Sequence, residues 1–246
     1  MADRRIEQAA YNNAMWCDTI CRIHGSPGAF LDGIWINRRE TPHSYPNAVT
    51  LTGDRGRDAQ IAHIRDLTHF AIPGQWAIKD SFATLELASL GFRILFEANW
   101  IYRDSAAPRL DGDSAGARWA RLDGEAELAH WELAWRGQST GNPDPCRERV
   151  FPPSLLADEA VTVIGVYQDE RIVAGAIASR TEDVAGMSNL FLAEPGGEQL
   201  LPGCIAGIMD AFPGLPIVGY ERGRCLTAVR DRGFSTLGPL RIWVKR

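Results

Sequence analysis

The residues of this chain whose types and spacing could do chemistry on their own are a glycine pair and a histidine pair. Gly196 and Gly197 follow Pro195 and could form a nest of backbone N–H groups that binds an anion, or a simple turn. His63 and His69 are six residues apart, which matches no zinc pattern, and we interpret them as surface or core residues. The five cysteines contain no C-x-x-C pair, so we predict neither a metal site nor a redox site.

Motifs that identify a nucleotide-binding or hydrolytic site are absent from the sequence. There is no Walker loop, no Rossmann glycine fingerprint and no G-x-S-x-G elbow. Trp131 and Trp135 could line a ligand groove, but a spacing of about one helical turn is more typical of aromatic residues in a core. Function therefore has to be inferred from the elements that would position a site.

Composition and charge exclude several classes of protein. The 246 residues correspond to about 1.6 domains of average size, and 45% of them are apolar, as in globular proteins. The net charge, 26 − 31 = −5, argues against binding nucleic acid. No apolar run approaches the roughly 20 residues that span a bilayer, and the N-terminal residues lack the apolar stretch of a signal peptide. We expect a cytoplasmic protein that binds neither nucleic acid nor membrane, and a homodimer remains open.

Helical periodicity opens the first half of the chain. Over residues 6–23, Ala10, Ala14, Cys17 and Cys21 share one face, which predicts a helix with the two cysteines as packing residues. Two further helical patterns and one strand follow, at residues 58–67, 76–90 and 92–102.

Small and turn-forming residues at positions 105–116 predict a linker between a domain at 1–104 and a domain at 117–246. The pattern of the second domain is strand, helix, three-strand antiparallel meander, helix, strand, helix, strand. These elements are predicted at residues 118–122, at a helix that carries Trp131 and Trp135, and at 161–167, 171–178, 185–193, 202–212, 216–220, 224–232 and 234–244.

The two halves end alike. Gly91-Phe92 and Gly233-Phe234 each follow a predicted helix and begin a strand, and the two pairs lie 142 residues apart. Glycine after a helix supplies a left-handed C-terminal turn, and phenylalanine then enters the core. The matching order suggests a duplicated unit.

The second half resembles the GNAT superfamily of acyl-CoA-dependent N-acyltransferases. The element order matches, residues 169–175 are similar to the family's turn into its third strand, and residues 185–192 are similar to the strand that carries the acyl-CoA edge. The resemblance implies an α/β fold with tandem GNAT-like domains, each a mixed, mostly antiparallel sheet flanked by helices, with a truncated N-terminal copy.

The resemblance also implies a donor site for acetyl-CoA or another acyl-CoA, with no metal. The implied positions lie at the end of one strand and the start of the next helix: Asn189, Phe191, Leu192, Ala193, Gly196, Gly197, Gly203 and Cys204. In the family, backbone amides at a helix N-terminus hold the pyrophosphate of coenzyme A.

The loop departs from the family pattern in its charge. Glu198 stands at the basic position and Leu201 at the first glycine position, and only Gly203 fits. We expect Glu198 to repel phosphate unless an arginine nearby offsets it, for which Arg180, Arg222 and Arg224 are the candidates.

The family's catalytic positions are also replaced. A tyrosine acid is often found five residues before the phenylalanine of Gly-Phe, where this chain has Val229. A glutamate base often lies on the strand that here carries Met187, Ser188 and Asn189, none of which is a base. Tyr220 and Glu221, at the end of the next strand, are the ionisable replacements. Alternatively, Tyr220 is a packed residue and Glu221 a solvated loop residue.

The predicted function is transfer of an acyl group from an acyl-CoA thioester to the amine of a small molecule. Two alternatives remain at this stage. The missing motifs could indicate a catalytically inactive binding protein with the same fold, or the donor could be something other than CoA, such as an aminoacyl-tRNA.

Overall fold

The computed structural model describes residues 2–70, 72–74, 76–112, 116–137, 149–193 and 197–245. Helices in these ranges are α1 (Ala2–Ile23), α2 (Arg57–Leu67), α3 (Glu125–Trp135), α4 (Leu201–Ala211) and α5 (Gly223–Arg230). Strands are β1 (Ala29–Leu31), β2 (Ile34–Ile36), β3 (Ala48–Thr50), β4 (Trp76–Asp80), β5 (Arg93–Arg103), β6 (Arg118–Arg121), β7 (Val161–Gln168), β8 (Arg171–Arg180), β9 (Ala185–Leu192), β10 (Ile217–Glu221) and β11 (Ser235–Lys245).

Two compact units make up the chain. Unit 1 comprises Met1–Trp100 with Thr236–Arg246, and unit 2 comprises Ile101–Ser235. The sequence-based boundaries, 1–104 and 117–246, place the last strand in the second domain. In the structure β11 belongs to unit 1 except for its first residue, because it pairs antiparallel with β4.

Unit 1 has the strand order β1-β2-β3-β4-β11-β5. Its recorded pairs are antiparallel except β3 with β4, which run parallel. The predicted face of α1 is buried, since Ala10, Ala14, Cys17 and Cys21 are each at most 2% exposed. Burial raises the pKa of the Cys17 thiol to about 11 and that of Cys21 to about 12, so both are packing residues, as predicted.

The helix predicted over residues 76–90 is wrong. Residues Trp76–Asp80 form β4, and only Ala88–Leu90 form a short 3-10 turn. Strand pairing on both sides, with β3 and β11, decides the conformation of a short apolar run whose periodicity fits either state. Trp76 and Ile78 enter the unit 1 core, while Lys79, on the other face of the strand, donates to Asn13 Oδ1 of α1 at 2.5 Å.

The two Gly-Phe pairs have the same local structure, as predicted. Gly91 and Gly233 lie in the left-handed region with φ of 84° and 86°. In each copy the phenylalanine N–H donates to the carbonyl five residues earlier, Phe92 to Leu87 at 3.3 Å and Phe234 to Val229 at 3.2 Å. This is the hydrogen bond of a Schellman turn, and both phenylalanines are 4% exposed.

Unit 2 has the strand order β10-β9-β8-β7-β6, with β9 and β10 parallel and the other recorded pairs antiparallel. Helix α4 packs on β6, β7 and β8, and α3 lies against β8 and β9. Trp131 of α3 is fully buried, and its Nε1 donates to the Ile164 carbonyl at 2.8 Å. The interpretation of Trp131 as a core residue is therefore confirmed.

No helix among the described residues is both long enough and apolar enough to span a bilayer.

Candidate active site

The parallel ladder between β9 and β10 ends before either strand does. Its last recorded pair joins Gly219 to Met187, while β9 continues to Leu192 and β10 to Glu221. A Cβ on Gly219 would lie 2.8 Å from the Met187 carbonyl, so glycine is what allows the strands to approach at this point. We call residues 188–192 of β9 and 220–221 of β10 the fork.

A β-bulge bends β9 where the fork begins. Ile177 of β8 is paired with Ser188 and Gly175 with Phe191, so two residues, Asn189 and Leu190, stand opposite one. Asn189 has φ of 53°, a left-handed conformation that asparagine tolerates better than most residues. The bulge turns the backbone of β9 at the point where its ladder to β10 ends.

Aromatic rings hold the outer end of β9 in place. Phe191 makes an edge-to-face contact with Trp131, with ring centroids 5.1 Å apart. A Cβ on Gly175 would lie 2.3 Å from Trp131 Nε1 and 2.7 Å from Phe191 Cε1, so the glycine leaves room for both rings. Phe191 is therefore a packing residue that positions the bulged strand.

The two predicted catalytic residues point to opposite faces of the sheet. Ile217 belongs to the core that contains α4 and α5 residues, and strand alternation places Gly219 and Glu221 on that same face. Tyr220 is on the face that carries α3. An acid–base group on one face and a phenol on the other can act on a group in the fork from both sides.

Glu221 has a strongly shifted acidity. Burial raises its pKa from 4.5 to about 7, against the opposing effects of the Arg222 N–H and the Arg222 charge. The side chain is only partly exposed. Near neutral pH it is therefore divided between acid and carboxylate, which suits a group that accepts and returns a proton.

The predicted donor positions at the end of β9 and after it differ in their surroundings. Leu192 packs against the unit 2 core, and the Ala193 N–H donates to the Val173 carbonyl at 2.8 Å. Gly197 is buried and begins a 3-10 turn, Gly197–Leu200, that runs into α4. Gly196 lies outside the described residues.

Gly203 and Cys204 face the core from the first turns of α4. A Cβ on Gly203 would lie 3.1 Å from Val166 Cγ2, so this glycine allows the helix to pack closely on β7. Cys204 is fully buried, and burial raises the pKa of its thiol to about 12. Any contact of these two residues with a ligand has to use backbone amides.

An arginine does lie beside the acidic residue of the loop. Arg224 Nε, on the first turn of α5, is 3.8 Å from Glu198 Oε1. Of the three arginines considered from the sequence, this one therefore offsets the charge of Glu198 directly. The pair is largely solvated on the arginine side, where the side chain is 76% exposed, so it can rearrange at small cost.

Cys225 lies on α5 and is half-buried, whereas the other described cysteines are buried. Burial raises the pKa of its thiol, and the negative charges of Glu221 and Glu198 raise it further.

In the described ranges, no group of three or more His, Cys, Asp or Glu residues is arranged to hold a metal ion.

Comparisons with known proteins agree on the fold. No protein-family model and no curated protein sequence matches the chain. Among solved structures, a GCN5-related N-acetyltransferase from Kribbella flavida matches 99% of this chain and 95% of its own, at 13% identity and a TM-score of 0.58.

Two further structures support the same comparison. A GCN5-related N-acetyltransferase from Sphaerobacter thermophilus matches 80% of this chain and 71% of its own, at 12% identity and a TM-score of 0.52. A tandem GNAT protein from the clavulanic acid biosynthesis pathway matches 86% of this chain and 77% of its own, at 14% identity and a TM-score of 0.51. The chain thus has the α/β fold of the GNAT acetyltransferases, in the tandem form, as the sequence predicted.

Proposed function

We propose that the protein transfers an acyl group from an acyl-CoA thioester, such as acetyl-CoA, to the amine of a small molecule. The observation that carries the proposal is the fork itself. Strand β9 is bulged, its recorded ladder to β10 ends at Gly219, and β10 ends at Glu221, whose pKa burial raises to about 7.

The fork suits the thioester arm of the donor. Residues 188–192 of β9 offer backbone groups, and the apolar side chains of Leu190 and Leu192 pack against the core beside them. Gly197 and the first turn of α4 would meet the phosphate end, where Arg224 supplies a positive charge next to Glu198. Coenzyme A would contribute the activated thioester, and the chain would orient the reactants and accept the proton of the amine.

Glu221 is the proposed acid–base group. As a carboxylate it accepts the proton of the attacking amine, and its pKa of about 7 makes this step nearly balanced at neutral pH. Tyr220, on the opposite face, is the proposed contact for the amine substrate. Orientation of the two reactants in the fork supplies most of the rate, because an amine and a thioester need positioning more than covalent help.

The proposal is tested by binding and by turnover. Acetyl-CoA should bind the purified protein in calorimetry at millimolar concentration or below, and a panel of small primary amines should stimulate thiol release. Glu221→Gln should lower turnover by about 100-fold with little change in donor affinity. No heat of binding at millimolar acetyl-CoA would contradict the proposal.

Two other outcomes have their own meaning. Binding without turnover across the amine panel would favour an inactive binding protein with this fold. Binding of tRNA that weakens steeply with salt would favour an aminoacyl-tRNA donor, because each phosphate contact adds to the salt dependence.

A further inference from the structure

A cleft of about 410 Å³ opens on unit 2 between α4, β6 and the segment before β6. All the residues that line it belong to unit 2. The volume lies within the range of about 300–1,000 Å³ that small-molecule sites usually have. The lining residues are Arg109, Leu110, Asp111 and Gly112 of the segment, Trp119 of β6 and Ala206 of α4.

Residues 109–112 form one wall of the cleft, and two contacts fix the start of this wall. Arg103, which is 2% exposed, donates through Nη2 to the carbonyl of Pro108. The next residue, Arg109, forms an ion pair with Asp210 on the last turn of α4.

The other end of the wall lies directly on α4 and β6. A Cβ on Gly112 would be 2.9 Å from Ala206 Cβ and closer still to Trp119 Nε1, so glycine is required for this approach. Leu110 packs against the unit 2 core. The wall is thus held along its length, and the cleft is preformed.

The lining combines apolar surface with charges of both signs. Leu110, Ala206 and the indole of Trp119 offer apolar surface. Arg109 and Asp111, which are two residues apart, offer a guanidinium group and a carboxylate.

Both charged groups have capacity for a ligand. The ion pair of Arg109 with Asp210 uses Nη2, and a guanidinium group has five N–H donors, so donors remain for a second carboxylate. A carboxylate has about four acceptor sites, so Asp111 can accept an ammonium group in addition to the interaction that it already makes.

Charge complementarity narrows the class of ligand. An anion without a positive group would meet the carboxylates of Asp111 and Asp210, and a cation without a negative group would meet Arg109. A ligand with one ammonium group, one carboxylate and an apolar side chain matches the whole lining. We propose that this cleft binds a free amino acid with an apolar side chain.

The cleft is separate from the fork. Strands β7 and β8 lie between β6 and β9, so β6 is about 14 Å from the bulged strand at about 4.8 Å per strand. An amino acid in the cleft cannot present its amine to the fork. The cleft is therefore a second site, and it does not depend on the proposed function.

Titration of L-leucine into the purified protein, followed in proton–nitrogen correlation NMR spectra, tests the proposal. The indole N–H resonance of Trp119, assigned with Trp119→Phe, should shift and saturate with a dissociation constant of about 1 mM or lower. Two analogues of leucine each lack one charge: isoamylamine has no carboxylate, and isocaproate has no ammonium group. Each should bind at least about fivefold more weakly than leucine.

Variants of the two charged residues locate the site. Arg109→Gln and Asp111→Asn should each weaken leucine binding by about fivefold or more. Arg121 and Asp123 form an exposed ion pair of the same unit outside the cleft. Arg121→Gln and Asp123→Asn are therefore the matched controls and should bind leucine like wild type.

Three results would overturn the inference. The first is a Trp119 resonance that does not shift with leucine up to about 10 mM. The second is an analogue that binds as tightly as leucine, because the cleft would then recognise only one charge. The third is unchanged affinity in both Arg109→Gln and Asp111→Asn, because leucine would then bind elsewhere.

Loss of the thermal unfolding transition would show that a variant had not folded, and the two analogues would then decide the question on wild-type protein. Neither acyl donor nor turnover enters these measurements. A negative result would therefore leave the proposed function standing, and failure of acetyl-CoA to bind would leave the leucine result unaffected.

Discussion

Replacing Glu221 by glutamine should make the protein more stable at neutral and alkaline pH but not at acidic pH. Burial raises the pKa of this carboxyl from 4.5 to about 7, so the folded chain holds the proton more tightly than the unfolded chain. The resulting stabilisation is fully present below pH 4.5 and is lost as the pH rises towards 7. Above pH 7 the folded protein carries a partly buried charge that the glutamine variant lacks.

The size of this change in stability follows from the pKa shift of Glu221. About 2.5 pKa units at 1.36 kcal/mol each give an upper limit of roughly 3.4 kcal/mol, of which about 2.5 kcal/mol falls between pH 5 and pH 8. Urea unfolding at these two pH values measures it. The difference in unfolding free energy between Glu221→Gln and wild type should increase by up to about 2.5 kcal/mol from pH 5 to pH 8.

Other titrating groups cancel in this comparison, because wild type and variant share them. Glu159→Gln, at an exposed carboxylate of the same unit, is the control and should follow wild type at both pH values. If the difference in unfolding free energy between Glu221→Gln and wild type stayed constant from pH 5 to pH 8, the claim that burial raises the pKa of Glu221 would be refuted.

Three further predictions concern the structure of unit 2. Asn189→Val should cost about 1–2 kcal/mol of stability and weaken acetyl-CoA binding, because a β-branched residue resists the left-handed conformation of the bulge. Asn189→Gly should keep the bulge. Thermal melts measure the stability of the two variants, and calorimetry measures their binding of acetyl-CoA. Gly175→Ala should lower the free energy of unfolding in urea by about 1–3 kcal/mol, because the added carbon clashes with Trp131. Gly124→Ala is the control and should cost less than about 1 kcal/mol, because its added carbon makes only ordinary contacts. Equal losses in the two variants would contradict the packing described. Arg103→Met should lose about 2–4 kcal/mol in the same assay, because this fully buried guanidinium is hydrogen-bonded to main-chain carbonyls; an unchanged midpoint would contradict that role.

The fold could be predicted from the sequence where local signals and tertiary structure agree. The Gly91 and Gly233 turns have the expected left-handed geometry, and α1, α2, α4 and α5 lie within a few residues of their predicted positions. Strand β4 was missed because Trp76–Asp80 has no periodicity of its own that separates strand from helix. Its pairing with β11, more than 150 residues away, decides its conformation.

The site was less accessible to sequence reasoning. Asn189 was chosen for its place on the donor strand, but the bulge that it allows depends on a shift in register against β8. Tyr220 and Glu221 are neighbours in sequence, and only strand alternation separates them onto two faces. The raised pKa of Glu221 comes from tertiary burial, which no local pattern encodes.

The central claim is that the fork between β9 and β10 holds the acyl donor. Hydrogen–deuterium exchange with and without acetyl-CoA tests this claim most directly. The account predicts slower exchange in peptides that contain residues 188–193 and 217–221 when acetyl-CoA is added, with smaller changes across β6 and β7 of the same sheet. Protection confined to unit 1, or exchange in the fork that acetyl-CoA leaves unchanged at a concentration where it binds, would contradict it.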